Sequence, residues 1–390
     1  MHQKVLGNHL YGFWTVDGRK LFDAEWEDLT YQNNSPEFHD GVVPMRKAGS
    51  TVMSKQPIYL LYSDGRSKMI PNSQSWFSVT NFLDGLAIAH GPVADGKCFY
   101  INTSGEKVFP HIVMNGMPLG GIRPLRDGLR AFCIGTGQWG YIDEKGTIKF
   151  PAKFKDAGNF SEGYAWVVTE DDVLQLIDKT GKSIFKAENR NVKTSEVVNG
   201  IFYVSDPVKN YMDYYDLNGN KLLTVESGNQ FCDGYGYVYI PKSSFDMTTP
   251  ISIIDKDMRV VKTLPPEIIE WSELSEHKPV FNSKDLATVY SGLVYQGSSI
   301  IRPNGTIVLR RYFNAEYGSE CDFFSPVCDA GYFKAKITYY MSDKEVSGEA
   351  IMKTTGEVMC VISDAKSAAG PLLKNEIHFP TQNFPDTNTP

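Results

Sequence analysis

Short apolar runs alternate with glycine-containing turns along most of the chain. The pattern is clearest in residues 125–185, where one two-part phrase occurs twice. Its first part is an apolar residue three positions before a glycine that opens an apolar run, as Leu125 precedes Gly128. Its second part is an apolar pair four or five positions before another glycine, as residues 141–142 precede Gly146. A phrase repeated at a roughly regular spacing indicates a repeat protein.

Both parts recur outside this stretch. The glycines of the first part are Gly41, Gly85, Gly128, Gly163, Gly200, Gly234, Gly292 and Gly331. The turn positions of the second part are Gly18, Gly65, Gly105, Gly146, Gly181, Gly219, Met258, Gly305 and Gly356. The repeating unit is therefore about 40 residues long, a length typical of repeat arrays and propeller blades.

Each unit carries three or four apolar or alternating runs, which predict short β-strands. Asp-Gly, Asn-Gly and Lys-Gly pairs between the runs supply the positive φ of tight turns, so strands adjacent in sequence are expected to pair antiparallel. Pro71, Pro110 and Pro151 are expected to end the third strand of their units. The predicted fold is all-β, a β-propeller-like ring of about eight blades, and the alternative is an open solenoid of β-hairpins.

The regular spacing predicts one domain over residues 1–362, followed by a C-terminal tail at 363–390. Residues 12–18 have no opening strand of their own and are expected to complete a blade begun by the C-terminal end, which would close the ring. Residues 259–291 depart from the period and are predicted to be an inserted loop with a short helix, because two prolines are followed there by acidic residues.

Residues 139–146 read Trp-Gly-Tyr-Ile-Asp-Glu-Lys-Gly, with Asp-Gly-Leu at 127–129 and Phe-Pro at 150–151. This arrangement resembles the WG-repeat family of bacterial β-repeat proteins, which is named for its Trp-Gly pair. The nearest other copy of the pair is Tyr-Gly at 11–12. The resemblance implies structural and binding units without a shared catalytic centre. It also implies a connection with bacterial toxins, near which such repeats are found.

The acidic charge balance bears on the partner. The chain has 39 basic and 46 acidic residues, a net charge of −7, which argues against nucleic acid and favours a basic protein partner. No apolar stretch approaches the roughly 18 residues of a membrane-spanning helix, and the first residues lack the apolar run of an export signal. We therefore expect a cytoplasmic protein that does not bind membranes.

Sequence motifs for catalysis or metal binding are absent. The seven histidines show neither HxH nor HExxH spacing, and no GxSxG motif occurs. Residues 135–140 match the phosphate-binding pattern G-x-G-x-x-G, but the chain continues as a strand where such a site needs a helix, which predicts a hairpin turn. The sequence therefore predicts no metal, no cofactor and no catalytic residue.

The acidic insertion is the best candidate for a partner-binding segment. Its candidate residues are Glu267, Glu270, Trp271, Glu273 and Glu276. On a helix the acids spread around one side, while Trp271 and Leu274 lie on another. Such a protrusion would offer an aromatic anchor to a basic partner. In the alternative interpretation, Trp271 and Leu274 pin a surface helix onto a blade and the acids remain in solvent.

The sequence thus predicts a non-enzymatic protein-binding repeat scaffold whose loops on one face engage another protein. Neutralisation of a toxin by an immunity protein is the concrete form that the family resemblance suggests. The competing class is a carbohydrate or small-ligand binder, or an enzyme, with a site in the central channel. The signature aromatics Trp139, Tyr141, Tyr164 and Trp166 alternate along strands and are expected to pack between blades.

Overall fold

The computed structural model divides the chain into two compact units, Met1–Arg190 and Asn191–Pro390. The residues that it describes are 2–5, 10–15, 19–29, 36–48, 56–91, 98–109, 119–135, 137–187, 189–206, 208, 211–240, 250–264, 286–291, 297–310, 312–314, 319–323, 331–341, 344–355 and 358–362. Over these residues the fold is all-β, with a single 3-10 turn at Ser73–Ser75.

The first unit contains four antiparallel sheets. Sheet 1 consists of His2–Val5, Leu10–Trp14, Lys20–Asp28, Val42–Lys47, Ile58–Tyr62 and Ser67–Met69. Sheet 2 consists of Ser78–Val79, Leu86–His90, Cys98–Asn102 and Lys107–Val108. Sheet 3 consists of Leu119–Ile122, Leu129–Ile134, Gln138–Asp143 and Ile148–Phe154. Sheet 4 consists of Asp156–Ala157, Tyr164–Val168, Leu174–Asp178 and Ser183–Lys186.

The second unit contains four further sheets. Sheet 5 consists of Lys193–Thr194, Ile201–Asp206, Tyr211–Asp216 and Lys221–Val225, and sheet 6 of Ser227–Gly228, Tyr235–Tyr239, Ile251–Asp255 and Val260–Leu264. Sheet 7 consists of Ala287–Ser291, Gly297–Ile301 and Ile307–Arg310. Sheet 8 consists of Tyr312–Asn314, Ser319–Phe323, Tyr332–Met341, Lys344–Lys353 and Val358–Ile362. Eight blade-like sheets over the described residues confirm the prediction of about eight propeller-like blades, whereas ring closure stays a prediction.

Strands that are adjacent in sequence pair in every sheet, because glycine turns reverse the chain between them. At the first turn of each sequence repeat, two consecutive residues have positive φ, as Asp127 (52°) and Gly128 (75°) do. Six copies of this turn are described, at 40–41, 84–85, 127–128, 162–163, 199–200 and 233–234. Residues with a short polar side chain and glycine tolerate this conformation best, which explains the Asp-Gly and Asn-Gly pairs in the sequence.

The core of each unit lies between consecutive sheets. One cluster joins sheets 3 and 4 through residues such as Tyr141, Phe160 and Ile177. Similar clusters join sheets 1 and 2, sheets 2 and 3, sheets 5 and 6, and sheets 6 and 7. Since both faces of a middle strand are covered in this way, Leu129–Ile134 is buried at all six positions. Apolar runs without strict alternation follow from this double coverage.

The glycine of the Trp-Gly pair fills a steric requirement. Opposite Gly140, the register shifts so that Trp139 pairs with Phe154 and Tyr141 with Phe150. The extra residues form a bulge, and a Cβ on Gly140 would lie 2.5 Å from the Phe150 carbonyl oxygen. The same shift faces Gly12, where Tyr11 pairs with Trp26 and Phe13 with Phe22. Glycine therefore fits these two positions, where three residues of the neighbouring strand lie opposite a single residue.

Two details of the sequence prediction are wrong. Pro151 does not end its strand but lies within Ile148–Phe154, because the bulge accommodates a residue that cannot donate an N–H. Residues 12–18 do not lack a preceding strand, because Leu10–Trp14 pairs with His2–Val5.

Parts of two predicted segments lie outside the described residues. Within the insertion predicted at 259–291, the strands Val260–Leu264 and Ala287–Ser291 occupy the two ends, and residues 265–285 lie outside the described range. The tail predicted at 363–390 and the turn predicted at Gly292 also lie outside it. The single-domain prediction over residues 1–362 stays a prediction.

We predict that Gly140→Ala destabilises the protein by about 1–3 kcal/mol, because the added methyl group meets backbone atoms that cannot rotate away. The matched control is Gly121→Ala in the same sheet, where the new Cβ would lie 3.8 Å from Trp139 in ordinary contact. The control is expected to change stability by less than about 0.5 kcal/mol. Denaturant unfolding of both variants measures the difference, and equal stabilities would disprove the steric explanation.

Candidate functional site

One end of the sheets has links of nearly constant length. The links between the third and fourth strands of the repeat are 63–66, 103–106, 144–147, 179–182, 217–220, 256–259, 302–306 and 354–357. Seven of them have four residues and one has five. The first turn of each sequence repeat lies at the same end of its sheet. In sheet 3, Leu129 directly follows the turn at 127–128 and pairs with Asp143, which directly precedes the link 144–147. We call this end of each sheet the constant end.

In sheets 3 to 6 the links at the constant end are closed by one local hydrogen-bond pattern. In sheet 4, Asp178 Oδ1 accepts from the backbone N–H groups of Thr180 (2.8 Å) and Lys182 (3.0 Å), and from the Thr180 hydroxyl (2.6 Å). Asp143, Asp216 and Asp255 accept the corresponding pairs of backbone bonds in sheets 3, 5 and 6. These side chains fix the turn in the manner of Asx turns, which accounts for the uniform length.

Hydrogen bonds also connect the constant ends of successive sheets. The Asp127 carboxylate accepts from the Gly163 N–H at 2.6 Å, and the Asp127 carbonyl accepts from Lys179 Nζ at 2.7 Å. Asp40 accepts from the Gly85 N–H in the same way. The equivalent bonds elsewhere run from Leu125 N–H to Asp84 and from Gly234 N–H to Asn199. We call these bonds the turn latches, and they tie the first turns at 40–41, 84–85, 127–128 and 199–200 to the following sheet.

The opposite end of the sheets has links of different lengths. These links join the second and third strands of the repeat and comprise residues 48–57, 91–97, 135–137, 169–173, 207–210, 240–250, 292–296 and 342–343. They range from two to eleven residues. We call this end of each sheet the variable end. Loops of variable length on a rigid scaffold are where repeat proteins carry binding residues.

Three exposed apolar side chains lie at the variable end. Val208 in link 207–210 is 88% exposed, and Ile240 at the start of link 240–250 is 43% exposed. In the first unit, Phe77 is 41% exposed and donates its backbone N–H to the His90 carbonyl beside link 91–97. The other large exposed apolar residues of the described chain lie on outer strands, at Met69, Ile148, Leu222, Val260 and Val261.

A cleft of about 290 Å³ lies between sheets 3 and 4. Its lining residues are Phe150, Lys153, Phe154, Thr169, Glu170, Asp171, Gln175, Ile177 and Gly181. The buried rings of Phe150 and Phe154 form the floor, with their centroids 6.3 Å apart. The Phe150 ring fits against Gly181, where a Cβ would lie only 3.0 Å away. The wall is polar and comes from the variable link 169–173.

The signature aromatics pack between sheets to different degrees. Tyr141 is fully buried and Trp166 is buried, whereas Trp139 and Tyr164 are half-buried. The Tyr141 hydroxyl donates to the Gly158 carbonyl of sheet 4 at 2.8 Å, and burial raises the pKa of that hydroxyl. Trp139 lies under the guanidinium of Arg123, 4.8 Å from the ring centroid. These contacts support the expected packing role.

The described residues contain one cysteine–histidine pair at hydrogen-bond distance. Cys98 Sγ lies 3.3 Å from His90 Nδ1. Burial raises the pKa of the Cys98 thiol and lowers the pKa of His90, so both groups are neutral near pH 7 and the thiolate is not favoured. No group of three or more side chains suited to hold a metal ion occurs among the residues described. Over the same residues, no helix has the length and apolarity to cross a membrane.

The partner-binding residues predicted from the sequence lie outside the described residues. This holds for Glu267, Glu270, Trp271, Glu273 and Glu276. The strand that leads into them, Val260–Leu264, starts at the constant end and finishes at the variable end, where Leu264 pairs with Ile251. Sequence reasoning predicted loops on one face but did not locate the cleft, because its floor is built from two distant segments and its wall from a short turn.

The comparison with protein families identifies one repeat. The sequence model of the WG containing repeat matches residues 139–171. The matched span starts at the Trp-Gly pair and ends within the variable link of sheet 4. The chain therefore contains a WG-type repeat, which confirms the resemblance seen in the sequence. No curated protein matches the chain.

Solved structures show distant similarity. The C-terminal WD40 domain of Sif2 aligns with a TM-score of 0.37 and 8% identity, over 84% of this chain and 84% of that domain. Hsv2 from Kluyveromyces lactis aligns with a TM-score of 0.35 and 11% identity, over 61% and 75% of the two chains. BamB from Moraxella catarrhalis gives 0.33 and 11%, over 72% and 83%. At these TM-scores the similarity supports no functional conclusion. The function proposed below rests on the chain's own residues.

We predict that Asp178→Asn makes the protein less sensitive to acid. Hydrogen bonds, first from the Thr180 side chain and then from backbone N–H groups, lower the pKa of Asp178. A lowered pKa in the folded state means that the stabilising contribution is present above the unfolded pKa of about 4 and is lost as the pH falls through the folded value. An asparagine oxygen can accept the same backbone bonds, as Asn102 does in sheet 2.

The measurement is the melting temperature at pH 7 and at pH 3. The melting temperature of Asp178→Asn should fall less between pH 7 and pH 3 than that of the parent protein. Glu144→Gln is the control, because it also removes one negative charge from an exposed turn of this end but no closing hydrogen bond. A loss in Asp178→Asn as large as in the parent would contradict the prediction.

Proposed function

We propose that the protein is a non-enzymatic, protein-binding repeat scaffold whose variable-end links engage another protein. The observation that carries the proposal is the contrast between the two ends of the sheets. The links between third and fourth strands, at the constant end, have four or five residues, whereas the links between second and third strands, at the variable end, have two to eleven. In repeat proteins, differences of length between units collect in the loops of one face, which is often the binding face.

The arrangement of hydrogen bonds supports this division. The turn latches and Asx turns satisfy the polar groups of the constant end within the protein. Exposed apolar groups lie instead at the variable end, at Phe77, Val208 and Ile240. Apolar and aromatic side chains supply most of the free energy of protein association where they fit a partner pocket. A rigid constant end would present these groups with little loss of conformational entropy.

The acidic segment predicted from the sequence extends the proposed surface. It follows Leu264, which lies at the variable end of sheet 6. Its residues Glu267, Glu270, Glu273 and Glu276 would attract a basic partner, and Trp271 would anchor it. The net charge of −7 favours the same kind of partner by electrostatic steering.

We predict that Val208→Asp and Ile240→Asp each weaken binding of the partner about tenfold, because a carboxylate replaces an apolar contact. The partner is first obtained by affinity purification of the tagged protein from its host and mass spectrometry, and dissociation constants are then measured by calorimetry. Leu222→Asp is the matched control, since Leu222 is 37% exposed but lies on the outer strand Lys221–Val225. Equal effects at all three positions would reject the variable end as the binding surface.

The more specific proposal is that the partner is a toxin and the protein its immunity factor. The presence of a WG-type repeat supports this through the resemblance to repeats found near bacterial toxins. Co-expression with the captured partner should restore growth of cells that the partner alone inhibits, and Val208→Asp should reduce the protection. A partner that does not inhibit growth would reject the immunity role and leave the scaffold proposal intact. The alternative of a ligand or catalytic site in a central channel stays a prediction.

A further inference from the structure

We infer that the cleft between sheets 3 and 4 binds a lysine or arginine side chain of a basic protein partner. This inference rests on the proposed function, since it names the chemistry of one contact on the proposed binding surface. The cleft is suited to this because it combines an aromatic floor with carboxylates at its rim. Its volume of about 290 Å³ lies at the lower limit of ligand pockets and suits one long side chain.

The aromatic floor favours a cation. The rings of Phe150 and Phe154 both line the cleft, with their centroids 6.3 Å apart and their planes tilted by 56° to one another. A cation over such a face is attracted by the ring quadrupole, and the aliphatic stem of lysine or arginine can cover the remaining apolar surface. Lys153 demonstrates the contact, since its ammonium lies 5.2 Å from the Phe154 ring centroid.

The charges at the rim favour a cation as well. Glu170 and Asp171 are exposed, and over the described residues neither carboxylate takes part in an ion pair or hydrogen bond. The next carboxylate along, Asp172, differs because Lys155 (2.8 Å) and Arg190 neutralise it. The cleft therefore presents two uncompensated negative charges against one positive charge, that of Lys153. Carboxylates beside an aromatic surface are complementary to the head of an arginine or lysine side chain.

Lys153 competes for the same floor. Its ammonium makes no ion pair with Glu170 or Asp171, and it occupies part of the Phe154 face. An incoming cation would have to share the cleft with this like charge. Removing the charge of Lys153 should therefore strengthen binding of a cation, whereas it would weaken binding of an anion. This opposite sign separates the two ligand classes.

The test uses the tripeptide acetyl-Gly-Arg-Gly-amide as probe, with acetyl-Gly-citrulline-Gly-amide as its neutral counterpart. The full-length protein carries ¹³C-labelled isoleucine methyl groups. Ile177 lines the cleft, and Ile142 lies in the separate cluster between sheets 2 and 3, so the two methyl resonances report on the cleft and on the rest of the core. The arginine peptide should shift the Ile177 resonance and leave Ile142 unchanged, and the citrulline peptide should shift neither.

The variants give the expected direction. Glu170→Gln and Asp171→Asn should each lower the affinity for the arginine peptide by about threefold to fivefold, as expected for loss of an exposed ion pair. Lys153→Gln should strengthen it by about threefold. Glu144→Gln, which removes a negative charge elsewhere in sheet 3, should leave the affinity unchanged. An unshifted Ile177 resonance, an equal response to both peptides, or weaker binding in Lys153→Gln would overturn the inference.

The peptide titration needs no partner protein, so its result is independent of the proposed function. If the peptide does not bind while Val208→Asp still weakens binding of the captured partner, only the inference about the cleft is rejected. If substitutions at the variable end do not change the affinity for the partner, that measurement rejects the proposed function, whatever the peptide titration gives.

Discussion

A small sheet of four short strands has two apolar faces, and burial of both faces is the constraint on which the rest of the structure depends. Sheet 3 meets it by packing against sheet 2 through one cluster and against sheet 4 through another. Neither cluster could form within a single sheet. Each sheet therefore depends on its neighbouring sheets for stability, as the repeats of other repeat architectures do.

The Trp-Gly signature is explained by this packing. Gly140 lets the outer strand bulge, which places Phe150 and Phe154 together against sheet 4. In sheet 5 the equivalent residue is Asp213, and the register is regular at this position, with Asp213 opposite Thr224. The Asp213 carboxylate accepts from the Thr224 hydroxyl and pairs with Lys221 at 2.9 Å. The copy in sheet 5, which lacks the glycine, thus uses a different solution at the same position.

Much of the fold could be predicted from the sequence because its turns require specific residues. Positive φ at Gly128 and at Gly146 follows from local sterics, and even Met258, which stands in a glycine position, adopts φ of 63°. The bulge at Pro151 was missed because it depends on the approach of the neighbouring strand. The cleft was missed for a similar reason, since no local pattern brings Phe150 near Glu170.

The uneven distribution of structural bonds between the two ends has an evolutionary consequence. Since the described latches lie at the constant end, insertions and deletions in a link of the variable end such as 240–250 leave these latches intact. Recognition can then diversify while the scaffold is inherited unchanged, in the way that antibody frameworks tolerate new loops. The same separation makes the chain a suitable host for grafted peptides, with the four-residue turns left untouched.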